Sequence, residues 1–167
     1  MLALGPAVRG DVDLDWPKVL ELTAITPLSG ELVCQELPDG ESLCLIGLTP
    51  DMSHGRDRAG LFELVRRAPP DSLRIVIGHS PDFLMDLAGA VRIDLALAGH
   101  THGGQVVLPW VGAPFTKSRL GPRYASGLND YKGVPIHVSA GIGMERGTAP
   151  QIRFLCPPEI SVLEVAY

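Results

Sequence analysis

The sequence predicts an α/β fold built around a mixed β-sheet, and three observations support this prediction. Short apolar runs alternate with amphipathic segments, as in folds where strands and helices follow one another. Two strand-like runs flank the turn-forming residues 38–40, which predicts an antiparallel hairpin. A strand, a helix and a second strand follow within residues 73–98, which is the order of a parallel βαβ unit.

The first half of the chain is expected to contain a helix, the hairpin and a second helix. Asp15 and Pro17 have the positions of a cap and a first-turn proline at a helix start. The hairpin strands are expected at 31–37 and 42–48. Apolar residues recur at helical spacing over 57–67, and the prolines that follow end this helix.

The second half is expected to alternate between strands and a helix. Strands are predicted over residues 73–77 and 93–98, with a helix over 81–90 between them. Further strands are predicted at 134–140 and 160–166, after a turn-rich region. These late segments are expected to include antiparallel pairs.

Composition limits the class of protein and its partners. The 167 residues suit one domain, and 46% hydrophobic with 20% charged residues is typical of a globular protein. The net charge of −5 and the lack of a basic stripe exclude an ordinary nucleic-acid binder. The sequence has neither a secretory signal nor the roughly 20-residue apolar run of a membrane helix, so we expect a cytoplasmic protein with no transmembrane segment.

The cysteines do not form a disulfide framework by their count or spacing. There are three of them, Cys34, Cys44 and Cys156, and their spacing fits no zinc motif. Cys34 and Cys44 have the positions of cross-strand neighbours on the predicted hairpin. We expect all three to be reduced packing residues.

Histidines follow two neighbouring strands of the predicted sheet. His79 and His100 each follow a glycine at the end of a strand, and open α/β sheets bind ligands at the carboxyl ends of their strands. His102 faces the same way as His100 if the segment is extended. Three imidazoles at one edge predict a metal site. His54 is interpreted as a solvated loop residue, and His137 as a residue on a strand face.

Several segments together resemble the calcineurin-like metallophosphoesterases, in particular their bacterial YkuE/YaeI-like branch. They are GHSPD at 78–82, GHTHGGQ at 99–105, VSAGIG at 138–143 and RFLCPPEI at 153–160. The resemblance implies a four-layer α/β/β/α sandwich of which residues 1–167 form the C-terminal two thirds, as a single, incomplete domain. It also implies a hydrolase of phosphomonoesters or phosphodiesters with a dinuclear metal site.

The resemblance further implies a role for individual residues. His79, His100 and Asp11 would bind one divalent ion and His102 the second, with manganese, iron or zinc expected and only the first ion where the second ligand set is incomplete. Gly103 and Gly104 would leave room for a substrate, namely a small phosphate ester or a lipid headgroup. No catalytic residue is assigned.

The chain departs from the family pattern in its first part. Asp11 stands where the family has an asparagine, and Val12 replaces the histidine that the family uses near the leaving group. The sequence contains no Asp-x-His motif. Two explanations fit this pattern. Either the chain lacks residues upstream, or it belongs to a lineage that has lost its metal ligands. The alternative function is therefore a non-catalytic binding module, and pairing of exposed strand edges would make a homo-oligomer.

Four polar residues near these motifs receive structural interpretations. Gln105 is expected to anchor its loop rather than bind a ligand. Arg153 is expected to pair with Glu159, and Asp82 to cap the helix after Pro81.

Overall fold

The computed structural model describes residues 6–10, 20, 25–145 and 151–164. Its largest feature is a six-stranded mixed sheet, and a parallel pair of two-residue strands lies apart from it. The strands, in chain order, are β1 (Pro6–Ala7), β2 (Thr26–Pro27), β3 (Glu31–Glu36), β4 (Ser42–Gly47), β5 (Leu73–Ile77), β6 (Leu95–Ala98), β7 (Gly127–Tyr131) and β8 (Val134–Val138). The order across the large sheet is β3-β4-β5-β6-β8-β7, which confirms the α/β class with a mixed sheet.

The predicted hairpin is present as β3 and β4, which pair antiparallel. Residues 38–40 form its turn, where the amide of Leu37 donates to the carbonyl of Glu41 at 2.7 Å. Gly40 has a φ of 88°, a conformation that glycine adopts without steric cost.

Four parallel strands form the centre of the sheet. β4 pairs with β5, β5 with β6, and β6 with β8, all in parallel, which confirms the predicted parallel arrangement of β5 and β6. The loops after these strands therefore leave the sheet at one edge. β7 begins where the expected turn-rich region ends and was not predicted as a strand, and it pairs antiparallel with β8.

The helices are short. They are α1 (Pro50–Ser53), α2 (Arg58–Arg66) and α3 (Leu84–Leu87), with 3₁₀ turns at Pro81–Phe83, His102–Gly104 and Pro122–Tyr124. The helix predicted over 57–67 is confirmed as α2, with Asp57 as its N-cap. The helix predicted over 81–90 ends early because Ala88 is extended and Gly89 has a φ of 81°.

One strand prediction is wrong in its described part, and one helix prediction is untested. Residues 160–164 form no strand, so the described part of the predicted strand 160–166 is irregular. The predicted helix start at Asp15 lies outside the described residues.

The hydrophobic core joins the sheet to α2 and to the segment that ends in α3. Phe83 is fully buried, and a Cβ added at Gly78 would lie 2.7 Å from its ring, so this glycine lets the ring pack against the end of β5. Other core residues are Ile46, Leu48, Leu61, Leu64, Val65, Val76, Leu84, Leu87, Ala96, Ile136 and Val138. The core thus fixes the strand ends from which the histidine loops leave.

The expectation that all three cysteines are reduced is wrong. Cys34 and Cys44 are directly opposite in the β3–β4 register and are joined by a disulfide bond, whereas Cys156 is a buried free thiol. Structural disulfides are common in oxidising compartments and rare in the cytosol. The cytoplasmic location therefore stays a prediction. Among the helices that the structure describes, none is long and apolar enough to cross a bilayer.

Candidate metal site

Three histidines meet at the edge of the sheet where the parallel strands end. His54 follows α1 in the loop after β4, His79 follows β5, and His100 follows β6. Each offers a ring nitrogen, and these three atoms all lie within 4.8 Å of one another. Because each histidine comes from a different strand, the register of the sheet holds the group together.

The rings are close enough to share one ion. His100 Nδ1 lies 3.0 Å from His79 Nε2, and the centroids of these two rings are 4.8 Å apart. The His54 ring centroid lies 4.8 Å from that of His100 and 5.9 Å from that of His79. All three residues are half-buried. Imidazole nitrogens in such an arrangement suit zinc, iron or nickel.

The far side of the His100 ring supports the same interpretation. His100 Nε2 lies 3.3 Å from the carbonyl oxygen of Lys117. A histidine that binds a metal commonly donates its other ring N–H to a carbonyl, which fixes the tautomer and the ring orientation. With the proton on Nε2, His100 presents an unprotonated Nδ1 toward His79.

His54 was interpreted as a solvated loop residue, and this interpretation is wrong. Residues 42–48, 57–67 and 73–77 form a strand, a helix and a parallel strand, so they are a second βαβ unit. The loop that carries His54 must then leave from the same edge as the loops of His79 and His100. This order of elements is the sequence signal that would have identified His54.

His102 is not a member of the three-histidine group. His100 and His102 have φ values of 71° and 48°, and Thr101 between them is helical, so the segment turns and is not extended as expected. The Thr101 side chain is buried and donates to the Ala125 carbonyl at 2.6 Å. His102 does border the same cavity as His100.

The surroundings of His102 favour its neutral form. Burial lowers the pKa of this imidazole below its usual 6.5, and the positive charges of Arg153 and His100 act in the same direction. The Glu145 carboxylate and a hydrogen bond to the Gly143 backbone oppose this shift.

Arg153 holds the turn that contains His102, and it does not pair with Glu159 as predicted. Its guanidinium donates to backbone carbonyls of six residues, which are His102, Ala140, Gly141, Gly143, Cys156 and Pro157, at 2.6–3.5 Å. Glu159 lies instead 3.8 Å from His137 Nε2. His137 is buried on β8 and belongs to the sheet.

Asp82 does not cap the helix as predicted, because Ser80 is the cap. The Asp82 carboxylate is 5% exposed and accepts hydrogen bonds from Ser118 Oγ at 2.6 Å and from the Arg119 amide at 3.0 Å. Arg119 Nε donates to its other oxygen at 3.2 Å. Asp82 therefore fixes the loop whose Lys117 carbonyl contacts His100.

The two glycines after His102 make room for protein atoms. A Cβ added at Gly103 would lie 2.5 Å from Cys156 Sγ, and one at Gly104 would lie 2.4 Å from the Ala113 Cβ. That both leave space for a substrate stays a prediction, and Gly104 also borders the cavity. Gln105 anchors its loop as predicted, because it is buried and its side-chain oxygen accepts from the Glu145 amide.

Asp11 and Val12, which the resemblance aligns with a ligand and with a leaving-group residue, lie outside the described residues.

A cavity of about 510 Å³ opens beside the histidine group. Its ionisable lining residues are His100, His102, Lys117 and Glu145. The lining surface is predominantly apolar and includes Val106, Pro114 and Phe115, with Gly104, Thr101, Gln105 and Thr116 completing it. The cavity therefore places ionisable groups next to an apolar surface.

Comparison with known proteins identifies several related hydrolases. Phosphodiesterase YaeI of Escherichia coli is 38% identical over 92 residues, which cover 55% of this chain and 32% of YaeI. The uncharacterized metallophosphoesterase YkuE of Bacillus subtilis is 32% identical over 126 residues, or 75% of this chain and 41% of YkuE. UDP-2,3-diacylglucosamine pyrophosphatase LpxG of Chlamydia muridarum is 32% identical over 103 residues, or 56% of this chain and 29% of LpxG.

The matched part is limited to less than half of each of these relatives. No family model and no solved structure matches the chain. The similarity nevertheless recurs across several curated proteins named for phosphoester hydrolysis, and the mixed sheet with its histidine loops agrees with it. Over the matched part, the chain is therefore related to the calcineurin-like metallophosphoesterases, a family of hydrolases.

Proposed function

We propose that this chain contributes to metal-dependent hydrolysis of phosphate esters, with His54, His79 and His100 as ligands of one divalent ion. The observation that carries this proposal is the convergence of three imidazole nitrogens within 4.8 Å beside a cavity. A divalent ion held there would supply positive charge to stabilise the charge that develops on a phosphoryl group in the transition state. The contact of His100 Nε2 with the Lys117 carbonyl supports this role, since it orients the ring.

A second ion is a further part of the proposal. The family resemblance assigns Asp11 to the first ion and His102 to the second. His102 borders the same cavity as His100, and burial favours the neutral imidazole that a metal needs. Manganese, iron and zinc are the candidate ions.

The proposed substrate is a phosphate ester that carries an apolar group. The name of the Chlamydia relative describes a pyrophosphatase of UDP-2,3-diacylglucosamine, and that of the Escherichia coli relative describes a phosphodiesterase. The apolar residues Val106, Pro114 and Phe115, which line the cavity together with ionisable groups, suit such a molecule. A small phosphate ester and a lipid headgroup are both candidates, since both carry a phosphate ester.

We expect the rate of hydrolysis to depend strongly on the leaving group. Val12 cannot donate a proton, so water must protonate the departing oxygen, and general acid catalysis typically contributes about 10²–10⁴-fold. We expect weak turnover that favours p-nitrophenyl esters over alkyl esters. Equal rates on both would contradict this part of the proposal.

A non-catalytic binding module is the second candidate function. Val12 in place of the family's histidine favours it, while the converging histidines favour the enzyme. Metal binding without hydrolysis of any p-nitrophenyl ester would select this alternative. A homo-oligomer stays a prediction.

The first experiment measures metal binding directly. Zinc and manganese are titrated into the chelator-treated protein, and elemental analysis then gives the stoichiometry. We expect His54→Ala, His79→Ala and His100→Ala each to weaken binding of the first ion by more than about 100-fold, because each removes a ligand. His137→Ala is the control, since His137 lies on β8 beside Glu159, and circular dichroism checks the fold of each variant. A wild-type protein that binds neither metal contradicts the proposal.

A further inference from the structure

We propose that Lys117 is the cation that binds the phosphate group in this site, and that Glu145 weakens this phosphate binding. This inference rests on the proposed function, because the phosphate belongs to the substrate or product of that reaction. It assigns a binding role to a residue outside the motifs that the family resemblance covers.

Lys117 lies between the cavity and the histidine group. Its backbone carbonyl is 3.3 Å from His100 Nε2, and the residue lines the cavity that His100 also borders. Among the described residues that line this cavity, Lys117 is the only lysine or arginine. The residue is therefore in position to place a positive charge where the histidine group and the cavity meet.

The loop that carries Lys117 is fixed to two of the histidine segments. Ser118 and Arg119, the next two residues, hydrogen-bond to the buried Asp82, which follows His79 by three positions. Arg119 also donates to the His54 carbonyl at 3.3 Å. The same strand ends therefore position this loop and the histidines. A phosphate contact from Lys117 would be made from this fixed loop.

The net charge of −5 gives a phosphate ester no long-range attraction, so local positive groups supply it. Lys117 adds one such group to the divalent ion of the proposed function. An ammonium has three donors and no acceptor, which lets Lys117 contact a phosphate oxygen while it keeps its other partner. That partner is Glu145, whose Oε1 lies 3.1 Å from Lys117 Nζ.

Glu145 is expected to oppose phosphate binding. Its carboxylate lines the same cavity, neutralises the Lys117 ammonium and repels an anion. Its backbone amide donates to the Gln105 side chain, a contact that does not depend on the carboxylate. A neutral glutamine at this position should leave the loop in place and free the ammonium.

The experiment measures the affinity of the metal-loaded protein for inorganic phosphate by isothermal titration calorimetry. Lys117→Met keeps the aliphatic stem and removes the charge. We expect about tenfold weaker phosphate binding, the usual effect of losing one hydrogen bond to a charged group. Glu145→Gln is expected to change the affinity in the opposite direction, with phosphate binding tightened several-fold.

Lys132→Met is the matched control. Lys132 is also a lysine with a φ of 53°, equal to that of Lys117, but it lies in the β7–β8 turn against the Tyr131 ring. The same substitution therefore imposes the same backbone demand away from the cavity. Phosphate affinity should change less than twofold in this variant.

The outcomes separate this inference from the proposed function. If the wild-type protein and Lys117→Met bind the metal equally and bind phosphate equally, Lys117 is not the phosphate cation. Equal losses in Lys117→Met and Lys132→Met would also overturn the inference, as would weaker binding in Glu145→Gln. If no metal binds, the proposed function fails, and the same phosphate titration of the metal-free variants then decides the role of Lys117 alone.

Discussion

His100 and His102 are two residues apart in one short motif, yet their surroundings differ. His100 contacts His79 and meets His54, and its far nitrogen contacts the Lys117 carbonyl. His102 lies in a turn whose carbonyls are gathered by Arg153, and its ring is subject to the opposing charges of Glu145 and Arg153. The first histidine is thus positioned by the sheet, and the second by the C-terminal segment.

This difference shows that spacing alone does not decide which side chains act together. An alternation of faces holds only for extended backbone. Positive φ at both histidines, with a helical Thr101 between them, replaces the extended segment by a turn. The partners of each histidine are then set by distant parts of the chain.

The largest expected effect tests whether the two histidines differ in metal binding. His100→Ala should weaken binding of the first ion by more than about 100-fold, because it removes a ligand and an oriented ring. His102→Ala should change that first affinity less than tenfold. Competition with a coloured chelator measures both. Equal losses in the two variants would show that both histidines bind the same ion.

The next prediction concerns the glycine that follows this pair. Gly104→Ala should lower the free energy of unfolding by about 3 kcal/mol. The alanine would be strained in the left-handed conformation of this residue, and its Cβ would overpack against Ala113. Gly112→Ala is the control, because Gly112 has a φ of 82° against 80° for Gly104 and no atom within 4 Å of an added Cβ. It should cost about 1 kcal/mol. Urea denaturation of both variants measures the difference. Equal losses of unfolding free energy in Gly104→Ala and Gly112→Ala would exclude overpacking.

The third prediction tests the loop behind His100. Asp82→Asn should lower the free energy of unfolding by about 2 kcal/mol, since a buried carboxylate with three donors becomes a neutral amide that faces Arg119. It should also weaken binding of the first ion about tenfold through the Lys117 carbonyl. Asp51→Asn, at an exposed pair with Arg56, is expected to change neither quantity measurably. Unchanged metal affinity in Asp82→Asn would show that the loop does not position His100.

The smallest effect concerns pH and His102. The pKa of this imidazole is lowered in the folded protein, so between that value and 6.5 the unfolded chain binds more protons. The contribution of His102 to stability is therefore complete above pH 6.5 and is lost as the pH falls below it. Urea denaturation of metal-free wild type and His102→Gln from pH 5.5 to 7.5 should show a smaller slope in the variant. Identical slopes would contradict the shift.

Much of the fold was predictable because its signals are local. The turn at 38–40 specified the hairpin, and helical spacing over 57–67 specified α2. β7 was missed because its sequence, GLNDY, is mostly polar, and it forms only through pairing with β8. Residues 160–164 are apolar enough to suggest a strand, but Ile160 and Val162 are exposed and no strand forms.

The candidate site was predictable only in part. His79 and His100 follow strands, so their meeting depended only on the parallel order of β5 and β6. To predict that His54 joins this site, one must recognise that β4 pairs antiparallel with β3 and also parallel with β5. The contact of Asp82 with Ser118 spans 36 positions and that of Arg153 with His102 spans 51, and no local pattern encodes them.

Arg153 also has a consequence for the order in which the protein is made. All six strands of the large sheet are complete by residue 138, whereas the carbonyls around His102 have no guanidinium to hold them until residue 153 has been synthesised. On the ribosome, the sheet can pair before the His102 turn acquires its final geometry. The strand-end histidines and the His102 turn are thus expected to mature at different times within one nascent chain.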